Sequence, residues 1–125
     1  MAPDAVLHLS TPNPAGPFAT RYRAAWWGLE CPRHIVLLPP ERMVALLEET
    51  GFCQIQVLHE PITKDIVRSW AYTQVDRGVI TNEMVEGLAD DGLLNLWFST
   101  VRFTRMKRGR GTDRYHVIAR KGNKQ

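Results

Sequence analysis

The side chains best suited to chemistry lie close together in one early stretch, Trp26-Trp-Gly-Leu-Glu-Cys-Pro-Arg-His34. Histidine is the side chain whose ordinary pKa falls near neutrality, so His34 is the first candidate for general-base work, and Arg33 beside it could orient an anionic group. Neighbours in an extended chain point to opposite sides, so the two are not expected to face one ligand together. Trp26 and Trp27 could wall a pocket for a planar or greasy molecule, although two tryptophans serve equally well as core packing. Upstream, Thr11 and Asn13 stand in Thr11-Pro-Asn-Pro, where their side chains could hydrogen-bond a substrate or simply close an Asx-type turn. His8, His59 and His116 fall within expected strands and read as structural.

Other chemistry is not written in the chain. It carries no GxGxxG loop, Walker loop, HExxH, nucleophile elbow or paired-carboxylate signature, and the Gly-Arg-Gly at 109–111 is too short and too basic for a phosphate cradle. Four scattered histidines and two cysteines 22 positions apart suggest no metal site, and Cys31 and Cys53 read as free buried thiols in a reducing compartment.

The elements that must position these residues follow from periodicity. Ala5-Val-Leu-His-Leu-Ser is a short apolar run, as a buried strand of a parallel sheet would be, and it stops at the prolines of the Thr-Pro-Asn-Pro loop. Residues 17–28 can form a helical turn or two ending at Gly28. After a brief apolar segment, Pro39-Pro40 opens a helix over Glu41 to Thr50, striped by Met43, Val44, Leu46 and Leu47 and capped by Gly51. Phe52 to His59 alternates as a strand, with Phe52, Gln54 and Gln56 on one side and Cys53, Ile55 and Val57 on the other. A helix is predicted from Thr63 to Asp76, burying Ile66, Val67, Trp70, Tyr72, Thr73 and Val75. A second begins near Thr81 or Asn82 and runs to about Met106, interrupted by Gly87 and Gly92. Arg114 to Arg120 is a final strand, and Lys121 to Gln125 a disordered polar tail.

This order predicts a single α/β domain over residues 1–125, with a polar tail at 121–125. A hydrophobic fraction of 44% and a charged fraction of 23% exclude wholesale disorder. No apolar run is long enough to span a bilayer and the start does not resemble a signal peptide, which makes the cytoplasm the expected compartment and a membrane partner unexpected. The formal charge of +3 is unevenly spread: from Arg102 onward nine Lys or Arg stand against Asp113 alone, giving +8 there and −5 elsewhere. Such a segment could dock on nucleic acid or an acidic protein, but a solvated helix end has the same composition.

Four segments in order, Thr11-Pro-Asn-Pro, Trp26 to His34, Pro39 to Leu47 and Glu49-Thr-Gly-Phe, resemble the C-terminal half of a bacterial family of class I S-adenosylmethionine-dependent methyltransferases. In that family a Thr-Pro-Asn-Pro loop ends the fifth sheet strand, and a Trp-x-Gly-Leu-x-x-Pro-Arg-His segment follows. Here Trp26, Gly28, Leu29, Pro32, Arg33 and His34 hold the positions of the second motif. The resemblance implies a partial Rossmann-like methyltransferase fold, with a small mixed sheet made of strands five to seven and packed with helices. It implies an acceptor side in which His34 is the catalytic candidate and Thr11, Asn13, Trp26, Trp27 and Arg33 are candidates for binding a small-molecule methyl acceptor. S-adenosylmethionine would be the family's cofactor, yet the glycine-rich loop and ribose-binding acid expected before Ala5 are missing, so the chain alone should bind none and be inactive. A truncated chain of this kind would expose the edge of its first strand, favouring self-association or pairing with an N-terminal half. Two alternatives stand beside this reading: a binding module docking through the basic C-terminal segment, and an inactive remnant.

Overall fold

The computed structural model describes residues 2, 4–30, 33–60, 62–74, 81, 83 and 112–122. Cys31, Pro32, the tail beyond Gly122, the body of the helix expected from 81 or 82 to about 106, and most of the basic segment fall outside them. Among the described residues three strands and three α-helices are formed: β1 (Val6–Pro12), α1 (Pro17–Tyr22), α2 (Pro40–Glu49), β2 (Phe52–Glu60), α3 (Thr63–Gln74) and β3 (Arg114–Lys121). Two single-turn 3₁₀ segments, Arg23–Ala25 and Trp27–Leu29, follow α1. The fold class is α/β, as the sequence predicts.

The sheet order is β1-β3-β2, and β3 pairs antiparallel with both neighbours. β1 and β2 thus run the same way but never touch, and every ladder in this small sheet is antiparallel. The expectation of a fully buried parallel strand at the front is corrected here. β1 has one neighbour and alternates, with Leu7 and Leu9 turned inward and Val6, His8 and Ser10 exposed. An edge strand with one covered face requires that alternation. The final strand also runs one residue further than predicted: Lys121 belongs to β3, its Nζ donates to the Thr50 carbonyl, and the Gly122 N–H donates to the Gly51 carbonyl at 2.9 Å.

Tyr115, Val117 and Ala119 of β3 are buried and form one core with Leu47 of α2, flanked by Leu7, Leu9, Met43, Phe52, Ile55 and Val57. The Tyr115 hydroxyl donates to the Leu38 carbonyl at 2.7 Å, so the central strand fixes the segment that leads into α2. Burial raises the Tyr115 hydroxyl pKa to about 12, with the nearby Glu41 carboxylate adding to the effect. α2 starts at Pro40, where a missing N–H costs nothing, and ends before Gly51 at φ 81°.

Alternation alone places Phe52 opposite Ile55 and Val57, whereas in the structure all three pack on the same core. The cause is a β-bulge: the β2–β3 register slips by one residue between Cys53 and Gln56, and Gln54 adopts φ 50°. One inserted residue inverts the phase of the strand. That inversion also turns Cys53 outward, so it is an exposed free thiol instead of the buried one expected.

A second core joins Phe18 and Tyr22 of α1, Trp26 and Ile66, with Leu29, Leu37 and Trp70 packed around them. Residues 17–28 form the expected helical turn or two as α1, which stops at Tyr22, where Arg23 takes φ 50°, and not at Gly28. Two tight turns then carry Trp26 into this core. α3 buries Ile66, Val67, Ser69 and Ala71, while Tyr72 and Thr73, expected inside, are exposed; Val75 lies outside the described residues. No helix among the described residues is long and apolar enough to cross a membrane.

The bulge yields a first test. A β-branched residue tolerates positive φ poorly, so Gln54→Val should lower stability by about 1–2 kcal/mol despite the high strand propensity of valine. Gln56→Val, one step past the bulge, should be close to neutral in the same denaturant titration.

Candidate functional site

The two 3₁₀ turns and the exposed face of α3 enclose a cleft of about 690 Å³, lined by Ala24, Trp26, Trp27, Leu29, Glu30, Arg33, Arg68 and Tyr72. Its geometry starts with how the tryptophan pair is held. Trp26 is buried and contributes mainly to the second core. Trp27 faces the cleft, and its backbone N–H donates to Ser69 Oγ at 2.8 Å. Ser69 in turn donates to the Asp65 carbonyl at 2.7 Å, so a fully buried hydroxyl ties the turn to α3. The Trp27 indole stacks on Tyr72, with centroids 5.5 Å apart, and the Arg68 guanidinium lies 4.6 Å from the indole centroid. Arg68 and Tyr72 are four residues apart on α3 and therefore share a face.

The turn at Trp27–Leu29 exists because of Gly28. A Cβ at this position would stand 2.3 Å from the Trp26 ring, which is packed in the core and has no room to retreat. Glu30 follows in the left-handed region, at φ 37° and ψ 42°. Its carboxylate holds two partners, His34 Nε2 at 2.9 Å from Oε2 and Arg33 at 3.6 Å from Oε1. Arg33 and His34 thus share one carboxylate, and of the two Arg33 alone lines the cleft. The Arg33 N–H donates to the Glu30 carbonyl at 2.6 Å, and both side chains reach one carboxylate. When Nε2–H is donated to Glu30, the lone pair sits on His34 Nδ1, the atom able to accept a proton.

Thr11 and Asn13 are elsewhere. Asn13 is buried, its Nδ2 donates to the Thr112 carbonyl at 2.9 Å, and its Oδ1 accepts from the Ala15 N–H at 3.1 Å, closing an Asx turn. Its backbone N–H donates to the Asp113 carbonyl at 2.7 Å, which ties the end of β1 to the approach to β3. Thr11 sits within the ladder opposite Tyr115. Neither lines the cleft. Of the binding candidates, the structure gathers Trp26, Trp27 and Arg33 around one space, with His34 behind Glu30. Glu30, Arg68, Ser69 and Tyr72 were not singled out from the sequence. The one readable signal for them was the Arg68/Tyr72 spacing of four.

Next to Asn13 lies a buried acidic pair. Asp113 is 3% exposed, and neither of its carboxylate oxygens has a hydrogen-bond partner among the described residues. Burial, reinforced by the charge of Asp65, raises its pKa to about 7, against a smaller opposing pull from the backbone amides of Phe18 and of Asp113 itself. Asp65 is also raised by burial, offset by Arg114, whose Nη2 lies 3.4 Å from Asp65 Oδ2. No group of three or more His, Cys, Asp or Glu side chains able to hold a metal ion occurs among the described residues.

No protein-family model and no curated protein matches the chain. Among solved structures it is similar to a SAM-dependent methyltransferase from Archaeoglobus fulgidus, with 17% identity and a TM-score of 0.45. That likeness covers 97% of this chain and 47% of the other, so the chain spans about half the length of the structure it matches.

Two outcomes follow from this geometry. Gly28→Ala should destabilise the protein by about 1–3 kcal/mol through overpacking and disturb the Trp26 environment, which near-ultraviolet circular dichroism reads directly. For Asp113 the folded pKa is raised from 3.8 to about 7, so the folded state binds the proton more tightly than the unfolded one. Its contribution is therefore fully present below about pH 4 and is lost as pH rises through about 7. Asp113→Asn should flatten the fall in melting temperature over that window, and a wild-type slope retained in the variant would refute the assignment.

Proposed function

We propose that this chain forms the acceptor-binding portion of a SAM-dependent methyltransferase, acting on a small-molecule oxygen, nitrogen or carbon. The supporting observation is local. Trp26, Trp27, Leu29, Glu30 and Arg33, from the segment that carries the most distinctive part of the resemblance, line the cleft. Residues that pack a core need no common opening, yet Trp27, Glu30 and Arg33 border the same space, with His34 bonded to Glu30.

S-adenosylmethionine supplies an electrophilic methyl group on a sulfonium centre. The described residues at the end of β1 do not fit that donor. In Rossmann-like folds a nucleotide sits at the carboxyl ends of strands, against backbone amides and an accessible acid. At the end of β1 the amide groups of Asn13 are taken up by Ala15, Thr112 and Asp113, and the adjacent Asp113 carboxyl is sealed from solvent. The donor would therefore be held by groups other than these, and the described cleft residues are assigned to the acceptor. Trp27 and Tyr72 form an aromatic wall, and Arg33 and Arg68 set charge at its border; His34, which is held by Glu30 and does not itself line the cleft, is the base proposed for the acceptor's proton.

Calorimetric titration of S-adenosylmethionine tests this, run on the 125-residue chain and on a form joined to its upstream coding sequence. The expected result is binding by the joined form alone. Micromolar binding by the isolated chain would overturn the division of labour, and absence of binding by both would overturn the methyltransferase reading.

A further inference from the structure

We infer that the cleft takes a planar aromatic compound carrying an anionic group, an aromatic carboxylate being the simplest case. Its role as methyl acceptor rests on the reading above; its binding does not. The volume of about 690 Å³ lies within the range of small-molecule sites. Trp27 and Tyr72 offer flat apolar surface beside Leu29, which selects a ring over a flexible chain.

The charge around the cleft selects an anion. Among the described residues lining the cleft, Arg33 and Arg68 stand against one carboxylate, Glu30, while Asp65, within electrostatic reach of Arg68, is paired with Arg114. Glu30 divides its two oxygens, one toward His34 at 2.9 Å and the other toward Arg33 at 3.6 Å. The Arg33 side chain is 76% exposed, and an exposed contact of that length contributes little. Arg33 can therefore leave Glu30 for a ligand carboxylate at small cost, while His34 keeps Glu30 satisfied. A guanidinium matches a carboxylate with two parallel hydrogen bonds, which an ammonium or a neutral amide donor cannot reproduce. Arg68, over the Trp27 ring, places its charge against the surface on which the ligand ring would lie.

The test uses the 125-residue chain without donor. Binding of 2-naphthoate, of its neutral analogue 2-naphthamide, and of the non-aromatic cyclohexanecarboxylate is measured by calorimetry and by two-dimensional NMR of the tryptophan indole N–H signals. The naphthoate should bind at least about tenfold more tightly than either analogue, that being the scale of one charge-assisted hydrogen bond. Arg33→Gln, at an exposed position with no core contact, should weaken naphthoate by about tenfold and leave naphthamide unchanged. Arg68→Gln should weaken both, because it also releases the Trp27 ring. Arg120→Gln, on the sheet, should change neither. Equal affinity for naphthoate and naphthamide, equal loss in Arg33→Gln and Arg120→Gln, or no naphthoate binding would each overturn the inference. Since no donor is present, such a failure is distinct from failure of the methyltransferase reading, which the donor titration alone decides.

Discussion

The last strand of the chain lies in the middle of its sheet, and the remaining structure depends on that placement. β1 and β2 are both bonded to β3 and not to one another. The earlier strands therefore have no completed ladder until residues 114–121 insert between them. The contacts this insertion makes span most of the chain: Val6 pairs with Arg120, and Asn13 reaches Thr112. Closing loops of that length is entropically costly but grows only slowly with length, and the buried face of Tyr115, Val117 and Ala119 provides the compensating apolar burial.

The cleft is a second-order product of the same arrangement. α3 is set against the sheet by the Asp65 to Arg114 contact, and it then presents Ser69 to the Trp27 amide and Arg68 with Tyr72 to its ring. The turn that delivers Trp27 needs Gly28 because the Trp26 ring occupies the space a side chain would need. Core packing and cleft formation are thus divided between adjacent tryptophans, one facing inward and one outward. Trp26 fills the second core as well as touching the cleft, while Trp27 faces the cleft.

Departures from the sequence reading share a cause. Period-two alternation identified β2 correctly but misassigned its faces, because a single residue at positive φ inverts the pattern and the pattern itself carries no mark of the insertion. Arg33 and His34 were not expected to face one ligand together; with Glu30 in the left-handed region, both side chains meet its carboxylate, while Arg33 alone of the two lines the cleft. Asn13 illustrates the reverse: the Asx turn was legible from Thr-Pro-Asn-Pro, whereas its bond to Thr112, 99 positions away, was not.

By itself the sequence determined the element types of the described residues, the α/β class, the capping of α2 at Gly51, and the concentration of candidate chemistry between Trp26 and His34. These depend on interactions within a few residues, which local propensity and periodicity express. The tertiary structure alone decided that β3 is central, that Cys53 faces outward, that Asn13 and Asp113 are buried together, and that Arg68 and Tyr72 complete the cleft. Each of those outcomes depends on which distant segments share space. That is set by the burial free energy of the whole chain and leaves no local signature in the residues concerned.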